Sequence, residues 1–166
     1  MYALLIAAVG IERLVELLLS QRNARWAFAH GGVEFGRGHY PAMVTVHAGL
    51  LAGCLTEVWA APRGFIAWLG WPALAVVAAS QALRWWCIAT LGRRWNTRVI
   101  VIPGAPLVRR GPYRWLHHPN YVAVTAEGLA LPLVHTAWLT AAGFTVANAL
   151  ILTVRLRVEN TALGYA

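Results

Sequence analysis

Read as apolar and polar blocks, the chain consists of five apolar runs joined by short basic connectors. The runs are Tyr2–Leu19, Ala42–Ala61, Phe65–Leu83 (continuing toward Leu91), Pro119–Val134 and Thr136–Val154. A bilayer core of about 30 Å takes roughly 20 residues of helix, and each run approaches that length. The fourth is short, and Leu131-Pro132-Leu133-Val134-His135 reads as a tight turn into the fifth. The one region without helical character is Trp95–His118. There β-branched stretches flank Pro103-Gly104, which predicts a short hairpin or loop. The expected fold is all-α: a single domain over residues 1–166, an integral-membrane bundle of five transmembrane helices. A short irregular or hairpin segment joins helices three and four.

Composition supports a membrane setting. The apolar fraction is 59% and only 12% of residues are charged, against about a quarter charged in soluble domains. Mean hydropathy is +0.56. The net charge of +8 fits nucleic-acid binding in principle, but basic connectors between apolar spans account for it, and no nucleic-acid partner is expected. All 14 basic residues are arginine. Arg22, Arg25 and Arg37 follow the first run. Arg84, Arg93, Arg94, Arg98, Arg109, Arg110 and Arg114 follow the third, and Arg155 and Arg157 follow the fifth. Only Arg63 falls on the opposite side, with Arg13 inside the first run. The positive-inside rule then predicts an outside N-terminus and a cytoplasmic C-terminus. Tryptophans fit interfacial belts, with Trp59, Trp68, Trp71 and Trp138 outside and Trp26, Trp85, Trp86, Trp95 and Trp115 inside.

The first run lacks a basic leader and a small-residue cleavage site, so it is expected to stay in the mature protein. Cys54 and Cys87 form no CxxC pair and no metal spacing, and read as small buried side chains. That excludes a thiol oxidoreductase and leaves no metal site. No strand–glycine loop–helix pattern supports a P-loop or a soluble dinucleotide fold.

Ionisable groups inside spans are costly and by default mark a pathway or a site. Glu127 lies about two turns into the fourth run, on one helical face with Asn120 and Val124. It reads equally well as a pocket residue and as a packing residue. In the fifth run Asn148, Leu152, Arg155 and Glu159 share a face, and Arg155 and Glu159 stand at contact spacing. They form either a plain ion pair at a helix end or two arms on a shared ligand. Arg13 and Glu16 in the first run pair at contact spacing and call for no third party.

The stretch "RRGPYRWLHHPNYVAV" gathers Arg109, Arg110, Arg114, His117 and His118 where the fourth run begins. Pro119 suits the first turn of a helix, which places His118 at its cap. A helix N-terminus favours an anion, while a basic interfacial loop attracted to anionic lipids explains the same residues. Both readings stand on chemistry alone.

Motifs narrow the choice. Leu107-Val108, Gly111-Pro112-Tyr113, His118-Pro119-Asn120-Tyr121 and the closing Arg155…Glu159 resemble the isoprenylcysteine carboxyl methyltransferase family in order and spacing. The flanks resemble its small bacterial members, some of which methylate long-chain alkylpyrones. The resemblance implies a multi-pass protein of the bacterial inner membrane that uses S-adenosyl-L-methionine. It implies that Pro106, Leu107, Val108 and Tyr113 line the cofactor, that His118, Pro119, Asn120 and Tyr121 form the pocket's helix cap, and that Glu159 meets the cofactor's amino group. Arg155 and Glu127 are the catalytic candidates, with Arg155 facing a lipid-tailed acceptor. The sequence departs from the family at Ala105, where eukaryotic members have histidine, and at Asn160, where a second acid is common. Its tail also stops at Ala166, short of the usual aromatic ending. Two other classes share these features: a multi-pass reductase using NADPH at the same edge, and a non-enzymatic helical partner protein.

Overall fold

The computed structural model describes residues 1–61 and 63–164. The shortened tail at Ala166 lies outside the described residues. Five helices carry the fold: α1 (Tyr2–Ala29), α2 (Tyr40–Ala60), α3 (Ala67–Leu91), α4 (Pro119–Leu133) and α5 (Trp138–Leu163). Two three-residue strands, β1 (Val33–Phe35) and β2 (Val99–Val101), pair antiparallel with Val33 opposite Val101.

Among the described residues three segments are long and apolar enough to cross a membrane: Arg37–Ala60, Ala67–Arg94 and Trp138–Leu163. This count is lower than the five spans expected. α1 has the length, but Glu12, Arg13 and Glu16 sit in its middle. α4 is 15 residues long, about 22 Å at 1.5 Å per residue, which is less than a bilayer core. α1 also runs on to Ala29 rather than stopping at Leu19, so Arg22 and Arg25 ride on its last turns rather than in a loop.

The apolar core lies toward the end opposite the arginine-rich loops. It joins Ile6 and Val9 of α1, Leu50 and Cys54 of α2, Ala73 and Val77 of α3, Leu131 of α4 and Phe144 of α5. Lipid is as apolar as leucine, so close backbone approach has to supply helix affinity. Gly128 shows this: a Cβ there would stand 1.8 Å from the Phe144 ring, so α4 and α5 touch only because it has none. Glu57 at the end of α2 caps α5, accepting from the Leu139 and Thr140 amides at 3.1 and 2.8 Å. Arg63 clamps that cap, donating to Glu57 at 2.9 Å and to the Thr136 carbonyl at 2.8 Å.

Of the hairpin or loop expected here, the structure has the loop. Pro103-Gly104 does turn the chain, with Gly104 at φ +75° and Ala105 N–H donating to Ile102 O at 3.1 Å, the geometry of a type II turn. The partner of β2, however, is β1, which follows α1. A polar face at the end of α1 fastens the same segment. Ser20 Oγ donates to Asn96 Oδ1 at 2.7 Å and Asn23 Nδ2 donates to Trp95 O at 2.8 Å, while Arg98 grips Glu34 of β1 through two bonds of 2.7 Å.

Candidate functional site

Two ionic groups lie between the helices. The first joins α1, α3 and α4. Arg13 Nη2 donates to both Glu127 oxygens at 2.7 Å and Arg84 Nη2 donates to Glu127 Oε2 at 2.5 Å. Arg13 Nη1 also holds Glu16 at 2.6 Å. The expected Arg13–Glu16 pair therefore does have third parties. Arg84, expected in the loop after the third span, is buried within α3 instead. Its charge faces inward because Glu127 and Glu16 are there to meet it.

The second group joins α4 and α5 near the arginine-rich end. Arg155 Nε donates to Tyr121 Oη at 2.6 Å, and that hydroxyl donates in turn to Glu159 Oε2. Arg155 Nη1 points at Met43 Sδ, 2.8 Å away on α2. Among the described residues its Nη2 has no hydrogen-bond partner. Arg155 is only 6% exposed, so it is no surface ion pair. His118 stacks on Tyr121 with ring centroids 5.3 Å apart and donates from Nε2 to Asn160 Oδ1 at 2.7 Å. Asn160 thus orients the cap histidine.

Two cavities meet at this second group. The first, about 170 Å³, opens among the loops. Pro106, Leu107, Val108, Tyr113, His118, Asn120, Tyr121, Arg155 and Glu159 all line it, together with β2. Gly111 (φ +55°) makes the turn that brings Tyr113 in, since a Cβ there would lie 2.5 Å from Thr90 Oγ1. Arg94 steadies the other wall by donating to Pro106 O at 2.7 Å. Burial, followed by the neighbouring Cys87 thiol, pushes the Tyr113 hydroxyl above its ordinary pKa, so it stays a donor at any physiological pH. Pro119 and Glu127 do not line this cavity. Pro119 is fully buried at the start of α4.

The second cavity, about 240 Å³, lies between α1, α2, α4 and α5 and is mainly apolar, with Leu14, Leu17, Val44, Leu51, Ile151 and Leu152 in its walls. Arg13, Glu16, Arg84, His47 and Asn148 form a polar strip along it. Trp95, Asn120, Tyr121 and Arg155 belong to both cavities and form their common wall. Two of them carry unmet hydrogen-bonding capacity: Trp95 Nε1 and Asn120 Oδ1 are buried without a partner among the described residues. Such atoms are rare in folded proteins and call for a ligand or water.

Sequence reasoning missed several of these residues. Trp95, assigned to an interfacial belt, is 2% exposed, because Ser20 and Asn23 pull its backbone onto α1. The other predicted belt tryptophans are exposed or half-exposed. Met43 and His47 of α2 carried no signal beyond their i, i+4 spacing. His39, on the 3-10 turn before α2, is also near the site. It is close enough to feel the charges of both Arg155 and Glu159.

Comparison with known proteins agrees with the motifs. The chain is 38% identical over 164 residues to the uncharacterized protein YpbQ of Bacillus subtilis (strain 168), covering 98% of this chain and 96% of that one. An uncharacterized protein of Haemophilus influenzae is 23% identical over 162 residues, covering 96% and 92%. The fold is similar to that of the eukaryotic intramembrane Ras methyltransferase ICMT, with a TM-score of 0.61 at 23% identity. That match covers 77% of this chain but 46% of the eukaryotic enzyme, so the chain spans less than half of the larger protein's length. Residues 73–165, which hold β2, most of the loop cavity's lining and all of α4 and α5, match the sequence profile of one family, and the chain belongs to it: the isoprenylcysteine carboxyl methyltransferase (ICMT) family.

Proposed function

We propose that the protein is an integral-membrane, S-adenosyl-L-methionine-dependent O-methyltransferase. Its acceptor is a carboxylate or acidic hydroxyl on a lipid-tailed molecule, isoprenylcysteine-like or a long-chain alkylpyrone. The observation that carries this reading is the pair of cavities sharing one wall. The loop cavity, the more polar of the two and edged by arginines, suits a charged, water-soluble cofactor, and the apolar cavity between helices suits a hydrocarbon chain arriving from lipid.

The residues present fit the cofactor. Glu159, 25% exposed at its side chain, offers a carboxylate to an ammonium group. The start of α4 presents partial positive charge to a carboxylate. Leu107, Val108 and the wall of β2 offer apolar surface to an adenosine. The buried, unpartnered Asn120 Oδ1 and Trp95 Nε1 lie where a ligand would satisfy them. When bound, the cofactor supplies an electrophilic methyl group on a sulfonium.

The chain's own residues position and shield. Arg155 keeps Nη2 open toward the acceptor's oxygen, a task its fork of donors suits. Tyr121 fixes the guanidinium plane and ties it to Glu159. Glu127 acts at a distance, through Arg13 and Arg84 on the acceptor cavity's polar strip. Placement and water exclusion of this kind lower a displacement barrier substantially. We assign the chain five membrane passes in the bacterial inner membrane with a cytoplasmic C-terminus. In this arrangement α1 and α4 cross as partners, their charges paired with each other.

The test is methyl transfer by detergent-purified protein from methyl-labelled S-adenosylmethionine to a farnesylated cysteine and to a long-chain alkylpyrone. Label entering either lipid product supports the reading. Folded protein that labels neither, nor any hydroxylated or carboxylated lipid tried, counts against it.

A further inference from the structure

His47 lies on α2 in the wall of the apolar cavity and belongs to no motif. Its Nδ1 is 2.8 Å from the Met43 carbonyl oxygen. A carbonyl oxygen only accepts, so Nδ1 carries the proton and the neutral ring leaves Nε2 as a bare acceptor. Among the described residues nothing donates to that nitrogen. Phe144 packs edge-on against the ring at 5.5 Å and holds its plane.

Its direction matters as much as its tautomer. Helical side chains lean toward their own N-terminus. α2 begins at the arginine-rich end, so His47 leans back toward Met43 and that end, as its bond to the Met43 carbonyl shows. α5 begins at the opposite end, so Arg155 leans the other way. The two side chains converge on the same cavity, and Met43, which meets Arg155 at 2.8 Å, is the residue one turn from His47.

We infer that His47 Nε2 is the proton acceptor for a protic acceptor hydroxyl, an enol or phenol type, bound in this cavity. This rests on the methyltransferase reading proposed above. A phenol-type hydroxyl titrates about three units above neutral pH, so it enters with its proton in place. The oxygen then forms its bond to the methyl carbon as the carbon–sulfur bond of the sulfonium breaks. The pair from that bond goes to sulfur, and the O–H proton passes to Nε2. Arg155 Nη2 holds the oxygen throughout. Every atom is accounted for by the acceptor, the methyl donor and one imidazole.

The experiment compares the wild-type protein with His47→Phe, which keeps the ring packing on Phe144, across a series of alkyl-tailed phenols of decreasing pKa. A positioned base contributes about 100-fold or more. The expected result is a loss of about 100-fold in kcat on the least acidic phenol that shrinks steadily toward the most acidic one, with S-adenosylhomocysteine affinity and thermal stability unchanged. Equal rates for both proteins on every acceptor, or one uniform loss across the whole series, would overturn the assignment of His47 alone. A folded wild-type protein that binds no adenosyl ligand and transfers no methyl group would overturn the underlying reading and this inference with it.

Discussion

The Glu127 cluster and the Arg155 chain are built from the same side chains in the same kind of surroundings, yet they do different work. Around Glu127 both carboxylate oxygens take guanidinium bonds, and Arg13 and Arg84 turn their remaining charge to Glu16, where Arg84 Nε and Glu16 Oε1 stand 3.5 Å apart, in ion-pair range but without a hydrogen bond among the described residues. Around Arg155 the chain is open. Among the described residues one guanidinium nitrogen is unused and two neighbouring polar atoms have no partner, and Glu159 is partly exposed. A charge inside a membrane helix is thus a poor marker of a site by itself. Unmet capacity on the wall that both cavities share is the better one, because leaving a buried polar atom unpaired is costly and a bound ligand removes that cost.

Substitutions can break this contrast, and the largest effect belongs to the closed cluster. Glu127→Ala strands Arg13 and Arg84 and should cost about 3–5 kcal/mol of stability, read as a loss of folded protein in detergent thermal unfolding. Arg155→Ala should leave unfolding little changed and lower methyl transfer about 100-fold, the usual effect of removing one preorganised donor. Turnover within a few-fold of wild type would remove Arg155 from the acceptor site. Glu159→Gln should weaken cofactor binding about 10-fold, or about 1.4 kcal/mol, with the protein still folded. The smallest effect is expected for Ser20→Ala, which removes the Oγ bonds to Asn96 and Thr97 and leaves the Asn96 bond to the residue 20 carbonyl, at about 1 kcal/mol. It should appear as faster hydrogen exchange in residues 95–102 rather than as lost activity.

Much of this site was legible in the sequence because its residues are close together along the chain. Arg155 and Glu159 share a face by helical spacing, and His118 to Tyr121 are consecutive, so their convergence needed only that α4 and α5 be helices. What stayed hidden depends on how separate helices are phased against each other. Nothing in one chain says that Arg84 of α3 turns toward Glu127 of α4, and a positive-inside count places it in a loop. β1 is three residues long, too short for alternation to show, and its partner lies more than sixty residues away. Trp95 was misplaced for the same reason: an indole at a helix end reads as an interface anchor until Ser20 and Asn23 fold its backbone inward. The apolar runs gave the helices and misjudged their ends. α1 continues past Leu19 and α5 past Val154, because arginine and glutamine extend a helix as readily as leucine does.

Calorimetry on the detergent-purified protein tests the central claim most directly, titrating S-adenosylmethionine and S-adenosylhomocysteine into wild type and Glu159→Gln, with NADPH alongside. The account predicts that both adenosyl ligands bind the wild-type protein, that both bind the variant more weakly, and that NADPH binds neither. Binding of NADPH in place of the adenosyl ligands, or of no ligand to folded wild-type protein, would contradict it.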